Sequence, residues 1–380
     1  MKKPLSMVFT LSGLFLLTGC PSDGGSGGVN ITLGGTAPPV VYTANGGSNT
    51  ISGFTIGTGG VLTPTLTPSF PTGGSTSEWV AVSPNGQFLY VSNQGSSNIS
   101  SFTINSATGV LAVTSPATIS AGGGSSPRGI TVTPNGQLVY VANSATNTVA
   151  GFSIGAGGAL SATAQGTIGT SGTLARGIAV TPNGQFLYVA NSGSNTVSGF
   201  TIGAAGALTA TSTPTFPTGA GSSPEGIAIS PNGSFLYVAN SGTNEVAAFT
   251  IGAGGLLTAT STPTFSTGVL GANPQRITIS PNGSFLYVTN KGFNEVAGFT
   301  IGAAGLLTAM SPPTITTGLG SAPIGITVNP TGQFVYVANS GTNEVAAFTV
   351  GGAGLLSVPS PAVYSTGANV STGIASPGRP

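Results

Sequence analysis

The segment Tyr-x-x-Asn, preceded by Val or Leu, occurs seven times along the chain. Its tyrosines stand at 42, 90, 140, 188, 237, 287 and 336, at intervals of 48 to 50 residues. A repeat of that length, made of short apolar runs and turn residues, cannot bury its apolar faces alone. It must stack on copies of itself, and four short strands per repeat specify a β-propeller with one blade per repeat.

The repeat can be read strand by strand. Residues 177–182 (GIAVTP) form a first short strand, Asn183-Gly184 the turn, residues 185–191 (QFLYVAN) a second strand and residues 196–202 (TVSGFTI) a third. GAAGA turns the chain into a fourth strand over 208–216. Asn-Gly predicts a two-residue hairpin with positive φ at both positions. The second and third strands are apolar on both faces, as a blade between two neighbours requires.

Kelch-like solenoids and a β-helix also repeat, but neither accounts for the ends of this chain. The first repeat begins at Pro39-Val40-Val41-Tyr42 with no strand ahead of it, and residues 371–380 (STGIASPGRP) supply that strand. The expected fold is therefore an all-β, seven-bladed propeller of four-stranded blades. The C-terminal strand completes the N-terminal blade, which removes two exposed sheet edges.

Composition agrees with this and narrows the partners. Only 3% of the 380 residues are charged, and the formal net charge is +1. Seven scattered Lys and Arg cannot build the basic surface that displaces counterions from phosphates, so nucleic acid is not an expected partner. The 39% hydrophobic content, arranged in order, separates this Gly- and Pro-rich chain from disordered ones.

Residues 1–19 read as an export signal, with Lys2 and Lys3 ahead of a short apolar stretch from Val8 to Leu17. Leu17-Thr18-Gly19-Cys20 looks like a lipobox, so Cys20 is the expected lipidation site. Acyl chains there would anchor the protein. Pro21 after the cysteine favours the outer membrane over inner-membrane retention. Residues 20–37 then form a flexible tether, and 38–380 the propeller. Cys20 is the only cysteine, which rules out an internal disulfide.

The run from ATGVLAV (107–113) through SSPRGITVTPNGQLVYVANSATNTVAGFSI (125–154) resembles the lactonase-type β-propellers, and the Tyr-Val-x-Asn signature resembles the YVTN repeat group. The likeness covers essentially all of 38–380. That family includes 6-phosphogluconolactonases and 3-carboxymuconate cyclases, and also many exported proteins of no assigned activity. The resemblance implies a site in the central channel that uses a histidine with Glu and Arg. This chain has no histidine at all.

Internal repetition separates scaffold from candidate site. The asparagine pairs Asn143/Asn147, Asn191/Asn195 and Asn240/Asn244 recur around the ring and are expected to satisfy turn backbone. The position of Arg128 differs from blade to blade: Thr372, Glu78, Arg128, Arg176, Glu225, Gln275 and Ile324. Arg276 sits one place further on, and Trp79, the only tryptophan, replaces the glycine of neighbouring repeats. First strands line the channel of a propeller, so these side chains are expected to converge at one mouth.

Glu245, Glu295 and Glu344 follow the second strand, with Lys291 and Phe293 in the same kind of turn. Nine of the ten propeller charges are thus placed on one face, and Arg379 on the other.

Two readings of the mouth stand open. In one, Arg128, Arg176, Glu225 and Arg276 form a structural ion-pair network that fixes blade order. In the other, three arginines, Glu78, Gln275 and Trp79 form a pocket for a small anion, which the planar arginine fork suits. The main functional expectation is a monomeric lipoprotein that binds a small anionic ligand or a surface protein or glycan. The alternative is a lactone-forming or lactone-hydrolysing enzyme with Glu225 as its catalytic residue. Neither zinc nor calcium has a suitable ligand cluster, and no cofactor fingerprint is present.

Overall fold

The computed structural model describes residues 39–377, apart from 269, 359–362 and 370. The expected export signal and tether, with Cys20, and Arg379 lie outside the described residues.

Seven antiparallel sheets surround a central channel. One blade shows the pattern: Pro224–Ile229 is innermost, followed outward by Phe235–Asn240, Glu245–Ile251 and Leu257–Ser266. The ring closes as the sequence implies. The C-terminal strand Ser371–Ala375 pairs with Val40–Asn45, which continues to Thr50–Ile56 and Leu62–Pro71. The last blade is the irregular one, its outer strand split into Leu356–Ser357 and Val363–Ser365, both paired with Glu344–Val350.

The turn between first and second strands differs from the two-residue hairpin expected from Asn-Gly. Gly86 has φ of 70°, while Asn85 is not among the positive-φ residues. Gly86 N–H donates to Ser83 C=O at 2.8 Å, and Ser83 N–H to Phe88 C=O at 2.9 Å. The loop is therefore four residues long, with glycine alone in the left-handed region. Asn85 acts through its side chain instead, accepting from the Gln87 N–H at 3.1 Å. Pro84 at the first corner and the Asx contact select this longer loop.

The protein has seven cores, one at each blade junction. Tyr188, Ala190 and Val197 of one blade pack on Ile227, Leu236, Val238 and Phe249 of the next. The closing junction is built alike, with Tyr336, Ala338 and Val345 against Val41, Phe54 and Ile374. Each such side chain stabilises the ring by ~1.5–3 kcal/mol on burial.

The repeated tyrosine also latches each junction. Tyr188 Oη donates to Gly255 C=O at 2.9 Å, Tyr237 Oη to Gly305 C=O at 2.9 Å, and Tyr336 Oη to Gly60 C=O at 3.0 Å across the closure. The other four tyrosines bond the equivalent carbonyl. Burial pushes all seven phenols well above their ordinary pKa, Tyr140 to about 12, so they stay donors into alkaline solution. The acceptor must be glycine: Gly255 has φ of 76°, and a Cβ there would lie 2.5 Å from the Phe186 ring.

The paired asparagines are structural: they satisfy backbone of the segments that connect blades, and Asn143 and Asn191 also donate to hydroxyls just after their own turn. Asn143 Nδ2 donates to Ala121 C=O and Asn240 Nδ2 to Thr218 C=O, in the segments leading into their own blades. The second asparagine, in the left-handed conformation, accepts from the segment leading into the following blade. Asn147 bonds Leu174 N–H at 2.7 Å and Asn244 bonds Asn273 N–H at 2.9 Å. In the second blade that position is Ser97.

Removing one latch hydroxyl leaves a buried carbonyl without its donor. Tyr237→Phe is expected to lower the urea-unfolding free energy by ~1–2 kcal/mol with the fold retained.

Candidate functional site

The backbone register places the charged positions together. Pro224 pairs with Asn240, Asn240 with Glu245, and Glu245 with Ser266, so the start of the first strand and the acidic row share one face of the blade. At the start of the first strands the structure resolves the converging charges into three separate contacts. Arg128 Nη1 donates to Glu78 Oε1 at 2.8 Å, joining the second and third blades. Arg176 Nη1 donates to Glu225 Oε2 at 3.2 Å, joining the fourth and fifth. Arg276 pairs with neither carboxylate; its guanidinium carbon lies 3.7 Å from the centroid of the Trp79 ring.

This last contact spans the channel, because Trp79 belongs to the second blade and Arg276 to the sixth. Both occupy the inner-strand position that is glycine in the other five blades. Glycine is required where inner strands touch: a Cβ on Gly129 would sit 2.3 Å from the Arg176 carbonyl oxygen, and one on Gly177 2.5 Å from that of Glu225.

The two exceptional blades carry a second change at the same level. The residue between Val and Asn of the repeat is alanine in five blades, but Ser92 and Thr289 in these two. Ser92 Oγ accepts the Trp79 N–H at 3.2 Å and donates to Arg128 C=O at 2.5 Å. Thr289 Oγ1 accepts the Arg276 N–H at 3.1 Å and donates to Ile324 C=O at 2.8 Å. Each hydroxyl thus ties the exceptional residue's backbone to the next blade.

Arg276 is 6% exposed, and its Nε is buried without an acceptor. Burial pushes its pKa down from the ordinary arginine range to about 10. Glu78 and Glu225 pull it up, while Arg128 and Arg176 push it down. The site therefore carries three cations against two anions, each anion already held by an arginine, and one cation held only by an aromatic face. Such a stack contributes ~0.5–2 kcal/mol. A cavity of about 40 Å³ lies against it, lined by Trp79, Arg276, the backbones of Gly226, Gly325 and Gly373, and four isoleucines. That is room for a few waters.

Larger hollows, such as the 380 Å³ one between Pro231, Asn232, Phe235 and Ile301, lie on the opposite face. They recur at other blade junctions without a charged residue in their linings, which marks them as scaffold.

The remaining expected site residues fall outside this group. Gln275 turns back on its own loop, with Nε2 donating to Asn273 Oδ1 at 2.7 Å. Phe293 is exposed and lies near Gly271 of the loop leading into its blade. Glu295 Oε1 accepts from Asn290 and Glu245 Oε1 from Thr264, both within their own blades. Among the described residues no cluster suits a metal ion.

A cation whose pKa falls on folding costs stability while it is charged. The unfolded chain holds that proton to higher pH than the folded one, whose pKa is about 10, so the penalty is full below pH 10 and fades above it. Arg276→Met is therefore expected to raise the unfolding free energy by ~1–3 kcal/mol, measured by denaturant titration at pH 7. A loss of stability instead would make the charge structural.

Comparison with known proteins places this geometry in context. The family model for the seven-bladed β-propeller lactonases matches residues 35–122, 112–220 and 200–360. Among solved structures, a Bacteroides fragilis protein provisionally assigned as a 6-phosphogluconolactonase is 22% identical. Its TM-score is 0.76, over 90% of this chain and 98% of that one. The Pseudomonas aeruginosa periplasmic gluconolactonase is 20% identical with a TM-score of 0.73, over 90% and 99%. A Kuenenia stuttgartiensis hydrazine synthase chain, 20% identical, aligns with a TM-score of 0.58 over 86% and 99%. None of the curated proteins searched matches the chain. At these identities the solved structures share the fold alone, but the family match spans most of the sequence: the chain belongs to the seven-bladed β-propeller lactonase family.

Proposed function

We propose that the charged mouth binds a sugar-acid lactone and opens it by hydrolysis, and that the protein does so as a lipoprotein of the cell envelope, anchored through Cys20. Arg276, a buried cation with no carboxylate partner among the described residues, is the observation that carries this reading. The other two arginines at this mouth each bond a carboxylate; among the described residues this one bonds none, and holding it charged costs stability.

Lactone hydrolysis needs a base for the attacking water and a donor for the oxyanion that develops on the ring carbonyl. Without a histidine in the chain, the base falls to a carboxylate. Glu225 is 8% exposed and bonded through Oε2 to Arg176. It would take the water proton as the C–O bond forms and return it to the ring oxygen as the ring bond breaks. Arg276 would meet the oxyanion. The family supports the same class.

A second reading, binding without turnover, is favoured by one feature: both carboxylates of the mouth are already engaged by arginines. The two separate in one assay. The purified protein is expected to hydrolyse δ-gluconolactone above its spontaneous rate, with Glu225→Gln lowering kcat/KM by roughly 100-fold or more. Saturable binding of gluconate with no turnover across a lactone panel would leave the binding module alone.

A further inference from the structure

The mouth holds three arginines and two glutamates, and each glutamate is matched by one arginine at 2.8 or 3.2 Å. One positive charge is left over, on Arg276. Its guanidinium has one face against Trp79, so an incoming anion meets the edge of the fork, and the adjoining cavity holds only a few waters. One surplus charge and a space of that size match a single carboxylate. A phosphate monoester brings close to two negative charges and three oxygens into a mouth that already holds two carboxylates.

The support of the stack is as specific as the stack itself. Glycine gives way to Trp79 and Arg276 in two of seven blades, and in those same two blades alanine gives way to Ser92 and Thr289. The hydroxyls bond the backbone N–H of the two stacked residues and fasten them to the following blade. Ring closure does not require this, since five blades close with glycine and alanine.

From these observations we infer that the Trp79–Arg276 stack is a monoanion site selective for the carboxylate of an unphosphorylated sugar acid, with Ser92 and Thr289 as its positioning residues. The inference rests on the mouth being the ligand site, and it deepens that reading by naming the class of acid that the lactone yields on opening. The carboxylate displaces water from the cavity beside Arg276 and lies along the edge of the guanidinium, while the hydroxylated chain stays in the open mouth. Selection against phosphorylated sugars comes from the charge balance: Glu78 and Glu225 already occupy Arg128 and Arg176, which leaves no second cation for a phosphate.

Trp79 is the only tryptophan, so its fluorescence reports this site directly. The full protein is titrated with sodium gluconate and with sodium 6-phosphogluconate at pH 7.5, and variants are followed by calorimetry. Gluconate is expected to change the emission saturably and to bind at least tenfold tighter than 6-phosphogluconate. Arg276→Gln should abolish the binding heat. Thr289→Val should weaken gluconate by up to about tenfold, the upper size of one lost neutral hydrogen bond, with Thr289→Ser restoring it. Trp79→Leu should weaken binding, with Trp79→Phe recovering most of it.

Tighter binding of 6-phosphogluconate overturns the substrate class, and equal gluconate affinity in Thr289→Val and the unaltered protein overturns the positioning role. Lactone turnover that survives Arg276→Gln undiminished also sinks this inference, together with the oxyanion role of Arg276, and leaves only hydrolysis through Glu225. Gluconate binding with the expected selectivity but no turnover does the reverse.

Discussion

Each blade buries its middle strands against the next blade, so no sheet of this ring has a core of its own. Every other feature of the fold follows from that sharing. Seven junctions need seven copies of the same interface, which is why the tyrosine recurs and why its hydroxyl reaches a glycine carbonyl one blade away. It also explains why the last strand of the chain returns to the first blade. An open ring would expose the layer formed by Tyr336, Val345, Phe54 and Ile374, together with two unpaired sheet edges.

A scaffold built by repetition leaves function to its exceptions. Where inner strands touch, the Gly129 and Gly177 contacts leave no space for a side chain in the ordinary blade. Trp79 and Arg276 break that rule, and Ser92 and Thr289 accompany the break. The result is a guanidinium buried in the channel and covered on one face by an indole, with its charge unmatched by a carboxylate among the described residues. The two Arg–Glu pairs on either side have the ordinary explanation of ion pairs that join neighbouring blades. The stack does not, because it spans the ring and holds a cation whose burial lowers its pKa.

How much of this was legible in the sequence depended on whether a feature was periodic. The seven blades, their strands and the split blade could be read from spacing, since apolar runs and turn residues repeat in register. The Asn-Gly turn could not, because the preceding proline and the Asn85 side chain select a longer loop that the dipeptide alone does not specify. The charges could be assigned to one mouth, but not to partners. Arg128 chose Glu78, and Glu225 took Arg176 alone, because contacts between neighbouring blades depend on side-chain reach across a junction. The stack left a signal that could have been found. Two blades lack the inner-strand glycine, and the same two lack the alanine before asparagine; only the coincidence of both pairs identifies them as one unit. Gln275 shows the opposite case: its place in the alignment matched the site, but its Nε2 bonds Asn273 within its own loop.

The central claim is that Arg276 is held as an uncommitted cation ready for one anion. Anomalous diffraction from crystals soaked in sodium bromide tests it most directly. A bromide peak against the exposed edge of the Arg276 guanidinium, absent in Arg276→Met crystals, is the expected result. Bromide at Arg128 or Arg176 but none at Arg276, or a carboxylate found paired with Arg276 in the refined structure, would contradict the account.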